Sequence, residues 1–156
     1  MTDNARYLCF DLGSREFAIP LLSAKEVIGV PDVTAVPQSP AHFLGIMNLR
    51  GNVISVMDLR VKLGVKPNAT GANENTVIIL DLGDYNLGVV VDRVNSVQTV
   101  DKEHVSDPPV VETATKSEYI TGVFRKEEKL ILMLDISRAL SVEDRSVIKP
   151  KSVKAA

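Results

Sequence analysis

The sequence predicts an all-β fold built from two copies of a five-strand unit. Three observations predict it. An internal repeat runs through the chain in a constant order. The apolar residues are mostly aliphatic and β-branched, with aromatic residues at 4% and no tryptophan. Nine glycines and eight prolines divide the chain into short segments, as expected where strands alternate with turns.

The repeat links segments in the same order in both halves of the chain. FDLG at residues 10–13 returns as LDLG at residues 80–83, 70 positions later. At the same spacing, FAI at 17–19 aligns with LGV at 87–89, and Val27 aligns with Val97. Further along the chain the spacing is 77, which aligns GIM at 45–47 with GVF at 122–124, Asp58 with Asp135, and Leu63 with Leu140. The wider spacing places extra residues in the second proline-rich loop, where insertions are well tolerated. The constant order indicates a duplicated unit.

Turn residues and β-forming segments place the first elements. Residues 6–12 and 16–20 are predicted to form a hairpin, because strand-forming residues flank a Gly-Ser-Arg turn. Residues 23–30 fit either a short helix or a strand, and the pattern leaves both open. A proline-rich loop follows, and it contains Pro31, Pro37 and Pro40.

A second hairpin and a helical turn end the first copy. Residues 45–50 and 52–57 are predicted strands that turn at Gly51. Asp58 is a suitable N-cap for one helical turn, and Gly64 suits its C-terminal end. Each copy has a thin core by itself, so the two copies are expected to pack together.

The second copy follows a predicted linker at residues 67–75, which is rich in Gly, Asn and Thr. Its predicted strands cover residues 76–82, 87–91, 119–124 and 130–134. Asp135 is expected to cap a short C-terminal helical stretch through Leu140. The lysine-bearing tail at residues 146–156 is expected to be flexible.

Composition excludes several classes of protein. No apolar run is long enough to cross a bilayer, and the first residues do not resemble a secretion signal. The net charge of −2 argues against nucleic-acid binding by bulk charge. The single cysteine excludes an internal disulfide, and a reducing cytoplasm is the expected location.

The sequence also contains no recognisable catalytic, cofactor or metal motif. Neither common phosphate-binding loop occurs, and neither does the nucleophile elbow of hydrolases. His42 and His104 are expected to be solvated loop residues, and Cys9 a packed thiol. Asp58 and Asp135 are explained by helix capping without catalysis. We therefore expect no metal, no cofactor and no enzymatic activity.

Binding to other proteins is the function that this pattern favours. Two small aliphatic barrels have strand edges and apolar outer faces to cover, and partner proteins can cover them. Two alternatives remain: a barrel with a small-ligand or catalytic cleft between its halves, and a nucleic-acid-binding barrel. The first needs a polar pocket with perturbed titratable groups, and the second needs salt-dependent oligonucleotide binding.

One stretch resembles a known family. FLGIMNLRGNVISVMDLR at residues 43–60 closely resembles the CheW family of chemotaxis coupling proteins. The second half agrees, through LGVVVDRV at 87–94, YITGV at 119–123 and LIL at 130–132. The resemblance covers about residues 6–142.

The resemblance implies a CheW-like domain at residues 6–145, formed by two SH3-like five-stranded β-barrel subdomains. Combined with the linear repeat, the resemblance gives subdomain 1 at about residues 14–66 and subdomain 2 at about 76–145. In the family the N-terminal strand can cross into the second barrel, so residues 6–13 can belong to subdomain 2. It implies a non-catalytic adaptor that joins the cytoplasmic tips of chemoreceptors to the regulatory domain of the histidine kinase CheA. Other CheW copies in rings within a cytoplasmic, membrane-associated array are further implied partners.

The resemblance also implies coupling residues. Arg50 and Asn48 lie in its Asn-Leu-Arg-Gly motif, and Arg50 is implicated in receptor and kinase coupling; the alternative is a solvated turn arginine. Glu26 either pairs with a basic group across an interface or faces water. Gly45 is expected to allow a bulge or a close backbone approach.

An apolar docking patch is the last implied feature, with core packing as the alternative for each member. Its residues are Leu22, Ala24, Val27, Ile28 and Val30. Ala24 is smaller than the valine usual in the family, which weakens the patch. Ser55 replaces a frequent proline, and we expect it to leave a sheet edge freer to pair.

Overall fold

A computed structural model describes residues 4–13, 15–29, 32–65, 76–106 and 119–148. The strands are β1 (Asn4–Leu12), β2 (Arg15–Pro20), β3 (Ala24–Gly29), β4 (Phe43–Leu49), β5 (Asn52–Asp58), β6 (Thr76–Asp81), β7 (Asn86–Val91), β8 (Arg93–Asp101), β9 (Val105–Ser106), β10 (Ile120–Lys126) and β11 (Lys129–Leu134). The helices are α1 (Leu59–Leu63), α2 (Ile136–Ala139) and α3 (Val142–Val147), and single 3₁₀ turns cover Leu21–Ser23 and Lys102–His104. The all-β prediction is confirmed, and the open choice at residues 23–30 resolves to strand β3.

The strands of the described residues form two sheets. Sheet 1 has the order β8-β1-β2-β11-β10-β9, and sheet 2 has the order β3-β6-β7-β5-β4. The predicted hairpins β1–β2 and β4–β5 form, and the predicted strands at 119–124 and 130–134 pair with each other as the hairpin β10–β11. Asp58 caps α1 by accepting from the Arg60 amide, and Gly64 ends that helix with a φ of +68°.

The pairing registers repeat from one sheet to the other. In sheet 1, Phe10 pairs with Phe17, and 70 positions later Leu80 pairs with Leu87 in sheet 2. Three further residue pairs of sheet 1 each have an equivalent pair in sheet 2 under the repeat. Leu8–Val97 is equivalent to Val27–Ile78, Gly122–Met133 to Gly45–Val56, and Phe17–Leu132 to Ser55–Leu87. The duplicated five-strand unit is therefore present in the structure.

The copies exchange their first hairpins. Hairpin β1–β2 from the first copy joins sheet 1 through a parallel contact between β2 and β11. Hairpin β6–β7 from the second copy joins sheet 2 through the equivalent parallel contact between β7 and β5. The sheets thus depart from the linear division at about residues 14–66 and 76–145. A repeat in the sequence identifies equivalent strands, but it does not tell which copy each strand pairs with.

The buried apolar side chains of the described residues form three clusters, two of which are related by the same repeat. One cluster lies within sheet 1 and includes Cys9 and Ile131; its counterpart within sheet 2 includes the equivalent Ile79 and Ile54. The third and largest cluster contains residues of both sheets, such as Phe10 and Leu80. Apolar strands with two buried faces are explained by this arrangement, because one face fills a sheet's own interior and the other packs between the sheets.

Three smaller expectations need comment. Ser55 was expected to free a sheet edge, but that prediction is wrong, because β5 lies between β7 and β4 and Ser55 is buried. The flexible tail does not begin at Ser146, since α3 extends to Val147 and Ile148 is buried in the core. The linker at 67–75 and the rest of the tail lie outside the described residues.

Candidate functional site

The turn between β4 and β5 is built around Arg50 and Gly51. Leu49 pairs with Asn52, so the turn has two residues, and both have positive φ, +52° at Arg50 and +86° at Gly51. Two successive positive φ values are the signature of a type I′ hairpin turn, whose twist matches that of the strands. The Asn48 side chain braces the turn, because its Oδ1 accepts a hydrogen bond of 2.9 Å from the Gly51 amide. The turn holds Arg50 at the outer end of the hairpin.

Arg50 forms a two-pronged ion pair with Glu26. Its Nη1 lies 2.6 Å from Oε2 of Glu26, and its Nη2 lies 2.9 Å from Oε1. The Arg50 side chain is 70% exposed and the Glu26 side chain 28%. The hydrogen bonds from Arg50 lower the pKa of Glu26, and the same bonds raise the pKa of Arg50. The sequence left two alternatives for Glu26, pairing with a basic group across an interface or facing water. In the structure, its partner is Arg50 of the same chain.

The predicted apolar patch separates into outer and inner residues. Leu22 is 97% exposed and Val27 is 43% exposed. Ala24 packs against the core between the sheets, and Ile28 against the cluster within sheet 2. Val30 lies outside the described residues. On the outer surface the patch is therefore Leu22 and Val27, of which Val27 directly follows Glu26 in sequence.

Gly45 shapes the strand that carries the turn. The register shifts between Phe43 and Gly45, which marks a bulge in β4. A Cβ at Gly45 would lie 2.0 Å from the carbonyl oxygen of Thr34, and its φ is +144°. Gly45 is thus required for close backbone approach, as the sequence indicated, and its contact is with the chain itself.

Comparison with known proteins decides the family. The CheW-like domain family matches residues 6–144. The chain belongs to this family. The chemotaxis protein CheW of Klebsiella aerogenes is 32% identical to it over 148 residues, which cover 94% of this chain and 88% of that protein. The chemotaxis protein CheW of Treponema pallidum is 32% identical over 138 residues, covering 86% of this chain and 81% of that one. The crystal structure of the scaffolding protein TtCheW from Thermoanaerobacter tengcongensis matches with a TM-score of 0.82 at 25% identity, covering 96% of this chain and 95% of that chain.

The CheW-like chain also contains a buried ionic network that the sequence did not reveal. Asp92 is buried, and its carboxylate accepts from the Gly13 amide and from Nη1 of Arg60, the latter at 2.5 Å. Arg60 also donates to Asp58, whose Oδ2 lies 3.1 Å from Nη2. The available signal was an aspartate directly after the apolar run VVV, because a buried carboxylate needs a charged or hydrogen-bonding partner. We call Asp58, Arg60 and Asp92 the Arg60 network.

A second missed cluster fixes α3 of the CheW-like chain. Asp144 is 1% exposed, and its carboxylate oxygens lie 2.5 Å from Nε2 of His42 and 2.6 Å from Nζ of Lys62. Ser141 and Asp144 form a capping box at the start of α3. The expectation that His42 is solvated is therefore wrong, while His104 is 78% exposed as expected. The sequence signal for this cluster was the spacing of Ser141 and Asp144, because an acidic residue three positions after a serine indicates a capping box.

The described residues show which chemistry this surface offers. They contain no group of three His, Cys, Asp or Glu side chains placed to hold a metal ion. No helix among them is long and apolar enough to cross a membrane. Burial raises the pKa of the Cys9 thiol to about 11, with a further increase from Glu16, which keeps it from acting as a nucleophile near neutral pH. The exposed Glu26–Arg50 ion pair and the exposed side chains of Leu22 and Val27 suit contact with another protein.

Proposed function

We propose that this chain is a chemotaxis adaptor that couples chemoreceptors to the histidine kinase CheA. Membership of the CheW-like family supports it, as do relatives named as chemotaxis and scaffolding proteins. The observation that carries the proposal is the exposed Glu26–Arg50 ion pair, on a chain that also exposes the aliphatic side chains of Val27 and Leu22. An exposed, planar guanidinium held in place by an ion pair is a typical anchor for a protein partner.

The coupling is mechanical and not catalytic. The chain contacts the cytoplasmic tip of a chemoreceptor and the regulatory domain of CheA on different surfaces, and other CheW copies extend the contacts into rings. By holding the kinase in one geometry relative to the receptor, it lets the receptor's state bias the kinase's activity. This places the chain in the cytoplasm at membrane-associated receptor arrays.

Glu26 and Arg50 act together in this proposal. Glu26 holds the guanidinium over β3 by two hydrogen bonds, while most of the arginine side chain stays in solvent. A partner carboxylate or carbonyl can then approach the free edge of a guanidinium whose position is already fixed, so little conformational entropy remains to be lost on binding.

Co-sedimentation with receptor-bearing vesicles and CheA tests the proposal. Wild-type chain is expected in the pellet with both partners, and Arg50→Glu is expected to lose binding while keeping a cooperative melting transition. Arg125→Glu, an exposed arginine in sheet 1, is the matched control and should bind normally. Folded wild-type chain that binds neither partner contradicts the proposal.

The charge-swapped double variant Glu26→Arg with Arg50→Glu separates two roles for the pair. It can re-form an ion pair inside the chain, but it presents the opposite charge at the turn. If Arg50 contacts the partner directly, the double variant stays defective. Full restoration of binding would assign Arg50 to bracing β3 and the turn, and would contradict direct contact.

A further inference from the structure

The parallel contact between β2 and β11 begins beside an open cleft. The cleft has a volume of about 550 Å³, and Arg15, Lys129, Leu130 and Leu132 are among the residues that line it. The Leu130 side chain is 61% exposed, whereas the next residue, Ile131, is fully buried. We call this feature the β2–β11 cleft. An exposed leucine within a cleft marks a surface that another protein segment can cover.

The equivalent place in sheet 2 is covered by the chain itself. The spacing of 77 relates Leu132 in the β2–β11 cleft to Ser55 on β5. Ser55 is buried, and its Oγ donates to the carbonyl oxygen of Val147, the last residue of α3, at 3.5 Å. The residue after α3, Ile148, is buried in the cluster between the sheets. Helix α3 and its C-terminal end thus cover β5 at this position.

Sheet 1 has no such cover within the part of the chain that the structure describes. The described residues that line the β2–β11 cleft all belong to β1, β2, the turn between them and β11, and none belongs to a helix. Leu132 is accordingly only half-buried, whereas its equivalent Ser55 is buried. The place that α3 fills on one sheet is therefore open on the other.

The charged side chains around the β2–β11 cleft favour an acidic occupant. The carboxylates of Asp11 and Glu16 also line the cleft, but each is paired with a base outside it, at 3.2 and 3.6 Å. Arg15 and Lys129 are exposed, and neither forms an ion pair with a described residue. Two basic side chains at the cleft are thus available to a partner's carboxylates.

We infer that the β2–β11 cleft binds a short, acidic amphipathic helix of a partner protein. The aliphatic side chains of that helix cover Leu130, and its carboxylates pair with Arg15 and Lys129. Covering Leu130 removes apolar surface from water, which a small anion cannot do. The inference does not depend on the adaptor proposal, because this cleft lies on sheet 1 and the Arg50 turn belongs to sheet 2.

Helix α3 shows the binding mode, because it combines the same two features on sheet 2. Its C-terminal end places the aliphatic side chain of Ile148 in the core. Near its start, an oxygen of the Asp144 carboxylate lies 2.6 Å from Nζ of Lys62. A short helix is thus held against a sheet of this chain by an aliphatic contact and a carboxylate–base pair together.

A titration with a stapled helical peptide tests the cleft without a natural partner. The peptide has leucine and glutamate residues along one face, and the isotope-labelled full chain is titrated with it by NMR. We expect saturable shifts of the Arg15, Lys129 and Leu130 amides. A peptide with glutamine in place of each glutamate should bind about tenfold more weakly, because two ion pairs are lost. Absent shifts at these amides, or equal binding of the glutamine peptide, would overturn the inference.

Two pairs of substitutions separate the charge from the apolar contact. Lys129→Gln should weaken peptide binding about threefold, and Arg6→Gln, which removes an exposed base near the start of β1, should leave it unchanged. Leu130→Ser should weaken binding about tenfold, and Leu44→Ser, at a 40% exposed leucine on β4 of sheet 2, should not. All four variants are first checked for a cooperative melting transition. Equal effects within both pairs would overturn a defined site.

Two other occupants give different results in the same experiment. Succinate supplies carboxylates without an aliphatic face, so saturable shifts equal to those of the peptide would show a simple anion site and overturn the inference. If the same amides shift when the chain alone is diluted, the occupant is a second copy, and the inference of a separate partner fails. If wild-type chain binds neither receptor nor CheA, the adaptor proposal fails, and the peptide titration still decides the cleft.

Discussion

Gly45 lies where β4 passes close to the backbone of the preceding loop at Thr34 and Ala35. Thr34 and Ile46 exchange two backbone hydrogen bonds across this point, at 2.8 and 2.9 Å. The contact is possible only because residue 45 has no side chain, and it fixes the start of the hairpin whose turn presents Arg50. A glycine far from the exposed surface thus determines where the exposed charge lies.

Gly45→Ala is expected to lower the free energy of unfolding by about 3 kcal/mol, because the new methyl group would meet backbone that cannot move aside. Gly29→Ala is the matched control: nothing lies within 4 Å of its Cβ position, so its stability should change little. Urea denaturation of both variants checks this. Equal stability losses would show that the close contact at Gly45 is unimportant.

Cys9 gives a second prediction at this scale. Its pKa of about 11 means that almost no thiolate is present at pH 8, and its side chain is fully buried. We expect no reaction with a disulfide reagent such as DTNB in the native state and complete reaction in urea. Rapid labelling of the native protein would show that sheet 1 opens readily around β1.

Helix α3 shows how a short element is held by its charges. Six residues are too few for a stable isolated helix, so α3 depends on Asp144 and the groups around it. Burial alone would raise the pKa of Asp144, but hydrogen bonds from Lys62, the Ser141 amide and His42 outweigh it and lower the pKa to about 2. Folding therefore favours the ionised carboxylate.

This shift predicts a pH dependence of stability. A lowered carboxyl pKa contributes stability above its unfolded value near 4, and loses it as the pH falls towards about 2. We expect Asp144→Asn to unfold about 2 kcal/mol more easily at pH 7, with the difference shrinking below pH 4. Urea titrations of both proteins at several pH values measure it; a constant difference would contradict the assignment.

The sequence predicted elements better than their partners. The hairpins β1–β2 and β4–β5 were predictable, because alternating strand formers and glycine turns are local signals. The contact of β2 with β11 was not, because it joins Phe17 to Leu132, and no local pattern reports a pairing over that separation. Arg50 and Glu26 were each identified through the family resemblance, but their mutual ion pair depends on how β3 lies beside the turn.

Across the whole molecule, each sheet is completed by the other copy's first hairpin. Sheet 1 needs β8 to β11 from the second copy to flank β1 and β2, and sheet 2 needs β6 and β7 to lie between β3 and β5. Neither half of the chain therefore contains a complete sheet. Stability is a property of both halves together.

A split chain tests this dependence. Fragments 1–66 and 76–156, made separately, are each expected to lack a cooperative unfolding transition, because each lacks the hairpin that its strands need. Mixing them in equal amounts should restore the transition and the β-sheet circular dichroism spectrum. A cooperative transition in either fragment alone would show that the exchange of hairpins is not essential.

The exchanged hairpins also determine how the molecule carries force. Tension applied to either half is borne by ladders in both sheets, because the parallel contacts β2–β11 and β5–β7 tie strands of one copy to strands of the other. A displacement imposed on one half of the chain is therefore passed to the other half through both of these ladders.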